Sequence, residues 1–177
     1  MTAVDPQQYL EKAELIHSEQ VVREAISAIA KQLNIDYAHD SPVVLCVMTG
    51  GAFFTGQLLP QLVFQLNFDY LHATRYHGEQ GSDIEWIVKP KKHISGQKVL
   101  ILDDILDEGI TLKTIIEECI NLGAIEVKIA VLVDKCLAIN KPIKANYIGL
   151  TVPDRYVFGC GMDVYGWWRN LPAIYAL

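Results

Sequence analysis

The sequence predicts an α/β fold with a largely parallel central sheet. Largely apolar segments of strand length recur along the chain, at residues 43–48, 99–102, 127–133 and 146–152. Between them, or before the first, apolar residues recur at helical spacing. Uniformly apolar strands are typical of a sheet covered on both faces, and strands that alternate with amphipathic helices indicate parallel βαβ units. In such sheets, ligands bind beyond the carboxyl ends of the strands.

Three helices are predicted from the spacing of apolar residues and from the residues at their ends. Residues 18–34 have one apolar face, and Ser18 can cap the first turn. Residues 52–65 are predicted as a helix, although Pro60 lies inside them and has no N–H to donate. Residues 111–122 form the third helix, and the glycine that follows ends it.

The remaining segments are expected to complete one domain. Residues 69–76 and 84–89 are predicted as two strands, joined by a polar loop at 77–83. Residues 1–40 are expected to form a helical region, without a strand, that packs on a single domain spanning residues 1–177.

The composition excludes several classes of function. The chain has 177 residues, of which 51% are hydrophobic and 20% charged, so it can form a complete core. A net charge of −6 argues against nucleic-acid binding, and the longest apolar runs are too short to cross a membrane. The N-terminus lacks the pattern of a signal peptide, and the four cysteines show no metal-ligand spacing. We therefore expect a cytoplasmic protein with neither a nucleic-acid nor a membrane partner.

The segment VLILDDILDEGITL, residues 99–112, carries the main functional signal. A buried strand leads into Asp103 and Asp104, Asp107 follows, and a glycine and a threonine then open a helix. A glycine turn and a helix N-terminus direct backbone N–H groups toward one point, which suits a phosphate. Paired carboxylates can accept hydrogen bonds from a diol or hold Mg²⁺. The segment therefore suits a sugar phosphate that is bound at its diol and at its phosphate.

Other interpretations of this segment exist. Acidic and glycine residues after a strand are also common in loops that bind nothing, and response regulators carry an acidic pair at such a position. Haloacid-dehalogenase-type phosphatases use an Asp-x-Asp motif, which DDILD does not supply. The chain contains neither a Walker A motif nor GxGxxG.

The same segment resembles the phosphoribosyl-diphosphate signature of the type I phosphoribosyltransferases. That signature has apolar residues, two acids, two apolar residues, Asp, a variable position, Gly, a variable position and Thr, and its spacing matches throughout. The resemblance implies a Rossmann-like three-layer phosphoribosyltransferase fold with a flexible lid hairpin. It also implies the residues of the segment that bind substrate, which are Asp103, Asp104, Glu108, Gly109, Ile110 and Thr111.

Three further segments are similar to the hypoxanthine-guanine members of this family. VVLCVMTGGAFFTGQLL resembles their early loop, which implies that Thr49 and Gly50 turn backbone N–H groups toward pyrophosphate, after an unusual peptide bond. DYLHATRYHGEQGSD resembles their lid, which implies substrate contacts at Arg75 and Tyr76. In AVLVDKC, Lys135 takes the position of a lysine that donates to the purine 6-oxo group.

The segment PDRYVFGCGMDVYGWWRNLP is the second strong match to the family. The resemblance implies that Tyr156 stacks on the purine and that the backbone of Val157 reads the edge of the base. It implies that Asp163 binds Mg²⁺, with Asp104 as a second metal ligand. Arg169 takes the position of an arginine that contacts pyrophosphate.

Three positions depart from the family pattern. Thr49 stands where the family often has lysine, and Arg75 replaces a serine of the lid. A guanidinium suits phosphate, so Arg75 is predicted to add attraction for the leaving group. Glu108 stands where a threonine usually holds the 5′-phosphate. Because a carboxylate repels phosphate, we expect Glu108 to point outward and to contribute only its N–H.

The resemblance implies phosphoribosyl transfer to hypoxanthine or guanine with Mg²⁺ as cofactor, by a homodimer or homotetramer. Asp107 is then the general base for the purine N7 proton. Three alternatives stay open at this point. They are a non-catalytic regulator of the same fold, an enzyme for another base such as uracil, adenine or xanthine, and a phospho-acceptor or phosphatase that uses Asp103.

Overall fold

The computed structural model of the protein describes residues 5–78, 81–90 and 92–177, and for residues 75–78, 81–83 and 92 it describes the backbone alone. The chain forms four α-helices and nine strands over these residues. In chain order they are α1 (Gln7–Lys12), β1 (Glu14–His17), α2 (Glu19–Asp36), β2 (Val43–Met48), α3 (Gly51–Leu58), β3 (Asn67–Gly78), β4 (Gly81–Val88), β5 (Lys98–Leu106), α4 (Ile110–Asn121), β6 (Glu126–Lys135), β7 (Tyr147–Val152), β8 (Val157–Phe158) and β9 (Ile174–Ala176).

Six strands form the central sheet, in the order β4-β3-β2-β5-β6-β7. The β3–β4 pair is antiparallel and the other four pairs are parallel. One core cluster joins the sheet to α2 and α3, and a second joins its other face to α4. The predicted three-layer fold with a mostly parallel sheet is confirmed. No helix among the described residues is long and apolar enough to span a membrane.

The long helix α2 begins and packs as its sequence predicts. The Ser18 hydroxyl accepts a hydrogen bond from the Val21 N–H at 3.5 Å, which caps the first turn. The residues it buries are Val22, Ala25, Ile26, Ile29, Ala30 and Leu33. Their helical spacing places them on one face, and that face covers the sheet on the side of α3.

A second, three-stranded sheet corrects the prediction for the N-terminal region. Residues 1–40 are not helical throughout, because Glu14–His17 forms β1 and pairs with β9 near the C-terminus. β9 pairs in turn with β8. Arg155 also stabilises the position of β1 in this sheet, since its Nη1 lies 2.5 Å from Glu14 Oε2. The partners of β1 lie at the far end of the chain, so its local pattern does not reveal it.

Three predicted boundaries also change. The helix predicted at 52–65 ends at Leu58 and continues as a single 3₁₀ turn, because Pro60 cannot continue the hydrogen-bond ladder. The loop predicted at 77–83 is shorter, since β3 and β4 extend to Gly78 and Gly81, and residues 79 and 80 lie outside the described residues. β5 extends to Leu106, so the acidic pair lies within the strand rather than after it.

Candidate active site

Two adjoining cavities open at the carboxyl ends of the central strands. The first has a volume of about 460 Å³ and the second about 260 Å³. The predicted site residues that line the first are Thr49, Gly50, Asp103, Asp104, Asp107, Glu108, Gly109, Thr111 and Arg169. Those that line the second are Asp104, Asp107, Lys135, Tyr156, Val157, Asp163 and Arg169. Asp104, Asp107 and Arg169 face both cavities, so the structure joins segments that are far apart in sequence.

Among the predicted site residues whose side chains the structure describes, Ile110 alone does not line either cavity. Ile110 is the first residue of α4. In the β3–β4 hairpin, Arg75 is paired with Ile84 and Tyr76 with Asp83, and the side chains of residues 75 and 76 lie outside the described part of the chain. The predicted substrate contacts of Arg75 and Tyr76 therefore stay predictions.

The turn before α4 has the backbone geometry of an anion site. Gly109 has a φ of 82°, and the helix begins at the next residue. A Cβ at Gly109 would lie 3.1 Å from Ile143 Cγ1 and would require a strained left-handed conformation. The unpaired N–H groups and the positive dipole end of α4 are therefore presented toward the first cavity, with the Thr111 hydroxyl beside them.

The acidic pair is buried at the floor of the site. Asp103 is 9% exposed and Asp104 is 7% exposed. The Asp104 N–H donates to Asp103 Oδ1 at 2.9 Å, and the Ile105 N–H donates to Asp104 Oδ1 at 2.8 Å. Burial, and then the charge of Asp104, raise the pKa of Asp103 well above its usual range. Burial also raises the pKa of Asp104, although hydrogen bonds and the charge of Arg169 oppose this rise. Two such carboxylates favour a cation or hydroxyl donors in the cavity.

Two glycines allow the backbone to pack directly against Asp104. A Cβ at Gly50 would lie 2.0 Å from Asp104 Oδ2, and a Cβ at Gly161 would lie 2.1 Å from the Gly50 carbonyl oxygen. Gly161 also has a φ of 105°. The peptide bond between Met48 and Thr49 is cis, which agrees with the unusual bond implied for this loop. The sequence analysis did not identify Gly161, and the glycine-rich FGCGMD was the signal that could have found it.

Arg169 connects the two cavities through hydrogen bonds. Its Nη1 donates to the Gly161 carbonyl oxygen at 2.6 Å, and its Nη2 lies 2.5 Å from Asp163 Oδ1. The other carboxylate oxygen of Asp163 accepts a hydrogen bond from the Gly166 N–H at 2.7 Å. The guanidinium and the Asp163 carboxylate are thus held in place next to Asp104.

Lys135 and Asp107 meet at the mouth of the second cavity. Lys135 Nζ lies 3.2 Å from Asp107 Oδ2 and 3.8 Å from Asp154 Oδ1. The lysine side chain is 14% exposed, while that of Asp107 is 48% exposed. A partly buried ammonium and a solvent-accessible carboxylate side by side can donate to one atom of a base and accept a proton from another.

Tyr156, in the wall of the second cavity, belongs to a series of aromatic contacts. The Tyr156 ring stacks on Tyr165 with centroids 5.9 Å apart, and Tyr165 contacts the ring of Tyr9 at 5.2 Å. Trp168 Nε1 donates to the Pro6 carbonyl oxygen at 2.7 Å. Tyr156 lines the second cavity, and Tyr165 is not among the described residues that line it. No local pattern in the sequence predicts the contact between Tyr9 and Tyr165, because the two residues lie at opposite ends of the chain.

The carboxylates of the site suit Mg²⁺ that is bound through two carboxylates and otherwise by water and substrate phosphate. Among the described residues, no group of three or more His, Cys, Asp or Glu side chains is arranged to enclose a metal. Mg²⁺ usually keeps several waters and binds through one or two carboxylates and substrate phosphates. Asp104 and Asp163 both line the second cavity and offer carboxylate oxygens of this kind.

Comparison with known proteins identifies the family. The phosphoribosyl transferase domain family matches residues 13–165. The hypoxanthine-guanine-xanthine phosphoribosyltransferase of Tritrichomonas foetus is 33% identical over 164 residues, which cover 90% of this chain and 88% of that protein. The hypoxanthine-guanine phosphoribosyltransferase of Staphylococcus aureus is 31% identical over 163 residues, 91% of each chain. A crystal structure of a hypoxanthine phosphoribosyltransferase from the same organism matches with a TM-score of 0.87 at 29% identity, and the match covers 98% of this chain and 96% of that one. The chain therefore belongs to the phosphoribosyltransferase family, in its hypoxanthine-guanine group.

Proposed function

We propose that the protein transfers the 5-phosphoribosyl group from 5-phospho-ribose 1-diphosphate to hypoxanthine or guanine, giving IMP or GMP and pyrophosphate. The observation that carries this proposal is the pair of adjoining cavities, which share Asp104, Asp107 and Arg169. One has the backbone donors and buried acids that suit a sugar phosphate, and the other has an aromatic ring and a lysine that suit an oxopurine.

In the first cavity, the turn at Gly109 and Thr111 binds the 5′-phosphate, and Thr49 and Gly50 direct N–H groups toward pyrophosphate. Asp103 and Asp104 hold the ribose diol, and their negative charge stabilises the positive charge that develops on the sugar as the glycosidic bond to pyrophosphate breaks. Asp104 and Asp163 hold Mg²⁺, which, when bound, stabilises the charge on the departing pyrophosphate. Arg169, whose guanidinium is fixed by Asp163 and Gly161, adds a further positive charge there.

In the second cavity, the purine stacks on Tyr156 while the backbone of Val157 reads its edge. Lys135 donates to the 6-oxo group, which selects against a 6-amino purine because an amino group cannot accept that bond. Asp107 lies 3.2 Å from Lys135, and it takes the N7 proton as general base when N9 attacks the sugar. The β3–β4 hairpin excludes water from the sugar cation, and its residues Arg75 and Tyr76 contact the substrate.

A nucleobase panel tests the proposed function. Purified protein with Mg²⁺ and the sugar diphosphate is offered hypoxanthine, guanine, xanthine, adenine and uracil, and nucleotide and pyrophosphate are measured. We expect product from hypoxanthine and guanine and none from adenine or uracil. Xanthine is included because the Tritrichomonas foetus relative is named for it as well. Failure of every 6-oxopurine to give a nucleotide would contradict the proposal, and omission of Mg²⁺ tests the cofactor.

We also propose a homodimer or homotetramer, in a reducing cytoplasm, with residues 1–177 as one domain on which the region 1–40 packs. The side chains of Phe68 and Tyr70, on the same face of β3, are 47% and 45% exposed, which supports contact with a second subunit. Four free cysteines agree with a reducing compartment. Sedimentation analysis of the wild type and of Tyr70→Glu tests the assembly, since a charge at a subunit interface should favour the monomer. A monomeric wild type would contradict it.

A further inference from the structure

Lys141 makes three hydrogen bonds outside the two cavities. Its Nζ donates to the carbonyl oxygen of Leu106 at 2.7 Å, to that of Lys135 at 2.6 Å and to Asp134 Oδ1 at 2.6 Å. An ammonium has three N–H groups, so these acceptors use its full capacity. The lysine side chain is 13% exposed, and in such surroundings charged hydrogen bonds are short and resist screening.

The position of these acceptors relates Lys141 to the chemistry. Leu106 is the last residue of β5 and immediately precedes Asp107, while Lys135 is the last residue of β6. Leu106 pairs with Asp134 in the last rung of the β5–β6 ladder. Past that rung the sheet no longer fixes one strand end relative to the other. Lys141 holds the two strand ends together beyond that rung. Its ammonium binds both the carbonyl of Leu106, which precedes the general base Asp107, and the carbonyl of the purine-binding Lys135.

We propose that Lys141 is a positioning residue that sets the separation of Asp107 and Lys135, and through it the affinity for the purine. This inference rests on the proposed function. Lys141 contacts neither cavity, so its effect reaches the purine only through the two residues it orients. The hydrogen bonds described for its ammonium go to Leu106, Asp134 and Lys135, and none goes to the phosphate-binding turn at Gly109 and Thr111 or to the acidic pair. Its removal should therefore change purine binding and leave binding of the sugar diphosphate unchanged.

Lys141→Met tests whether purine binding responds while sugar-diphosphate binding does not, because methionine keeps the apolar stem and removes all three donors. We expect KM for hypoxanthine to rise about tenfold and kcat to fall, while KM for the sugar diphosphate changes less than about twofold. Lys144→Met is the matched control, since Lys144 is exposed and lines the same outer cavity of about 380 Å³ behind the strand ends. It should keep wild-type constants for both substrates.

Asp134→Asn is a milder variant that serves if Lys141→Met does not fold. It keeps the ammonium and both carbonyl contacts and weakens only the third bond. We expect a rise of about two- to threefold in KM for hypoxanthine, again without change for the sugar diphosphate. Equal changes in both KM values, or no change in either variant of an active enzyme, would overturn the inference. An inactive wild type would instead contradict the proposed function, and this inference with it.

Discussion

The two cavities of the site are built in different ways. The sugar-phosphate cavity takes most of its predicted binding residues from one continuous segment, Asp103 to Thr111, in which a strand, a turn and a helix N-terminus follow each other directly, and Thr49, Gly50 and Arg169 complete it. The base cavity draws on the end of β6 and on the segment from Tyr156 to Arg169. Its aromatic wall also depends on Tyr9 from α1.

The binding groups of the two cavities are therefore held in position in different ways. In the sugar-phosphate cavity, positions follow from backbone geometry, because a glycine turn into a helix leaves little freedom to the N–H groups. In the base cavity, side chains must be held by contacts between distant segments, such as the bond from Trp168 to Pro6. We therefore expect substitutions in the first cavity to reduce turnover, and substitutions around the second to reduce purine affinity.

Asp107 should give the largest effect, because it lies in both cavities and carries the proposed proton transfer. For Asp107→Asn we expect kcat to fall by about 10²- to 10⁴-fold, since an amide cannot accept the N7 proton. KM for the sugar diphosphate should change little. Steady-state kinetics with each substrate varied in turn measures both constants. A near-normal kcat would remove Asp107 from the role of general base.

Gly161 packs directly against the backbone of Gly50 and against Asp104, so a methyl group there should disturb the packing around the acidic pair. For Gly161→Ala we expect a loss of about 3 kcal/mol in the free energy of unfolding, because the residue has a φ of 105° and its Cβ would lie 2.1 Å from the Gly50 oxygen. Denaturant unfolding measures this change.

Gly56→Ala is the matched control for that substitution. A Cβ at Gly56 meets nothing within 4 Å, and the residue lies inside α3, where alanine should stabilise by about 0.5–1 kcal/mol. Equal effects of the two substitutions would mean that the close packing around Asp104 does not limit stability.

The same contrast explains how far the sequence predicts the structure. The sheet, α2, α4 and the acidic segment were predictable because their signals are local, in periodicity and in the spacing of residues 99–112. β1 was missed because its partner is β9, at the other end of the chain. Gly161 and Lys141 were missed because each acts on the backbone of another segment. The roles given to Tyr156 and Lys135 came from resemblance, since a tyrosine just before a strand or a lysine at the end of one has no distinctive pattern.

Asp103 should show the cost of concentrating negative charge in the sugar-phosphate cavity. Its pKa is raised by burial and by Asp104, so the folded state loses stability as pH rises through that pKa. Asp103→Asn removes the charge and keeps an oxygen to accept the Asp104 N–H. We expect the metal-free variant to have a higher Tm than the wild type at pH 7.

The difference in Tm should shrink as pH falls toward the pKa of an unfolded aspartate, about 3.9, because both proteins are then neutral at this position. Thermal unfolding across this pH range measures it, and Glu11→Gln, at an exposed carboxylate, should show no such trend. If Asp103→Asn were less stable than the wild type at pH 7, the charge of the buried Asp103 carboxylate would already be compensated by its surroundings in the folded protein.

Tyr165 should give the smallest effect and test the base cavity alone. Its ring stacks on Tyr156 at 5.9 Å between centroids, and Tyr165 is not among the described residues that line the cavity and is itself 68% exposed. Stacked aromatic pairs contribute about 0.5–1.5 kcal/mol, so Tyr165→Ala should raise KM for the purine about two- to tenfold. Tyr165→Phe keeps the ring and should behave as wild type, and KM for the sugar diphosphate should not move in either variant. If Tyr165→Ala reduced sugar-diphosphate binding instead, the two cavities would not bind their substrates independently.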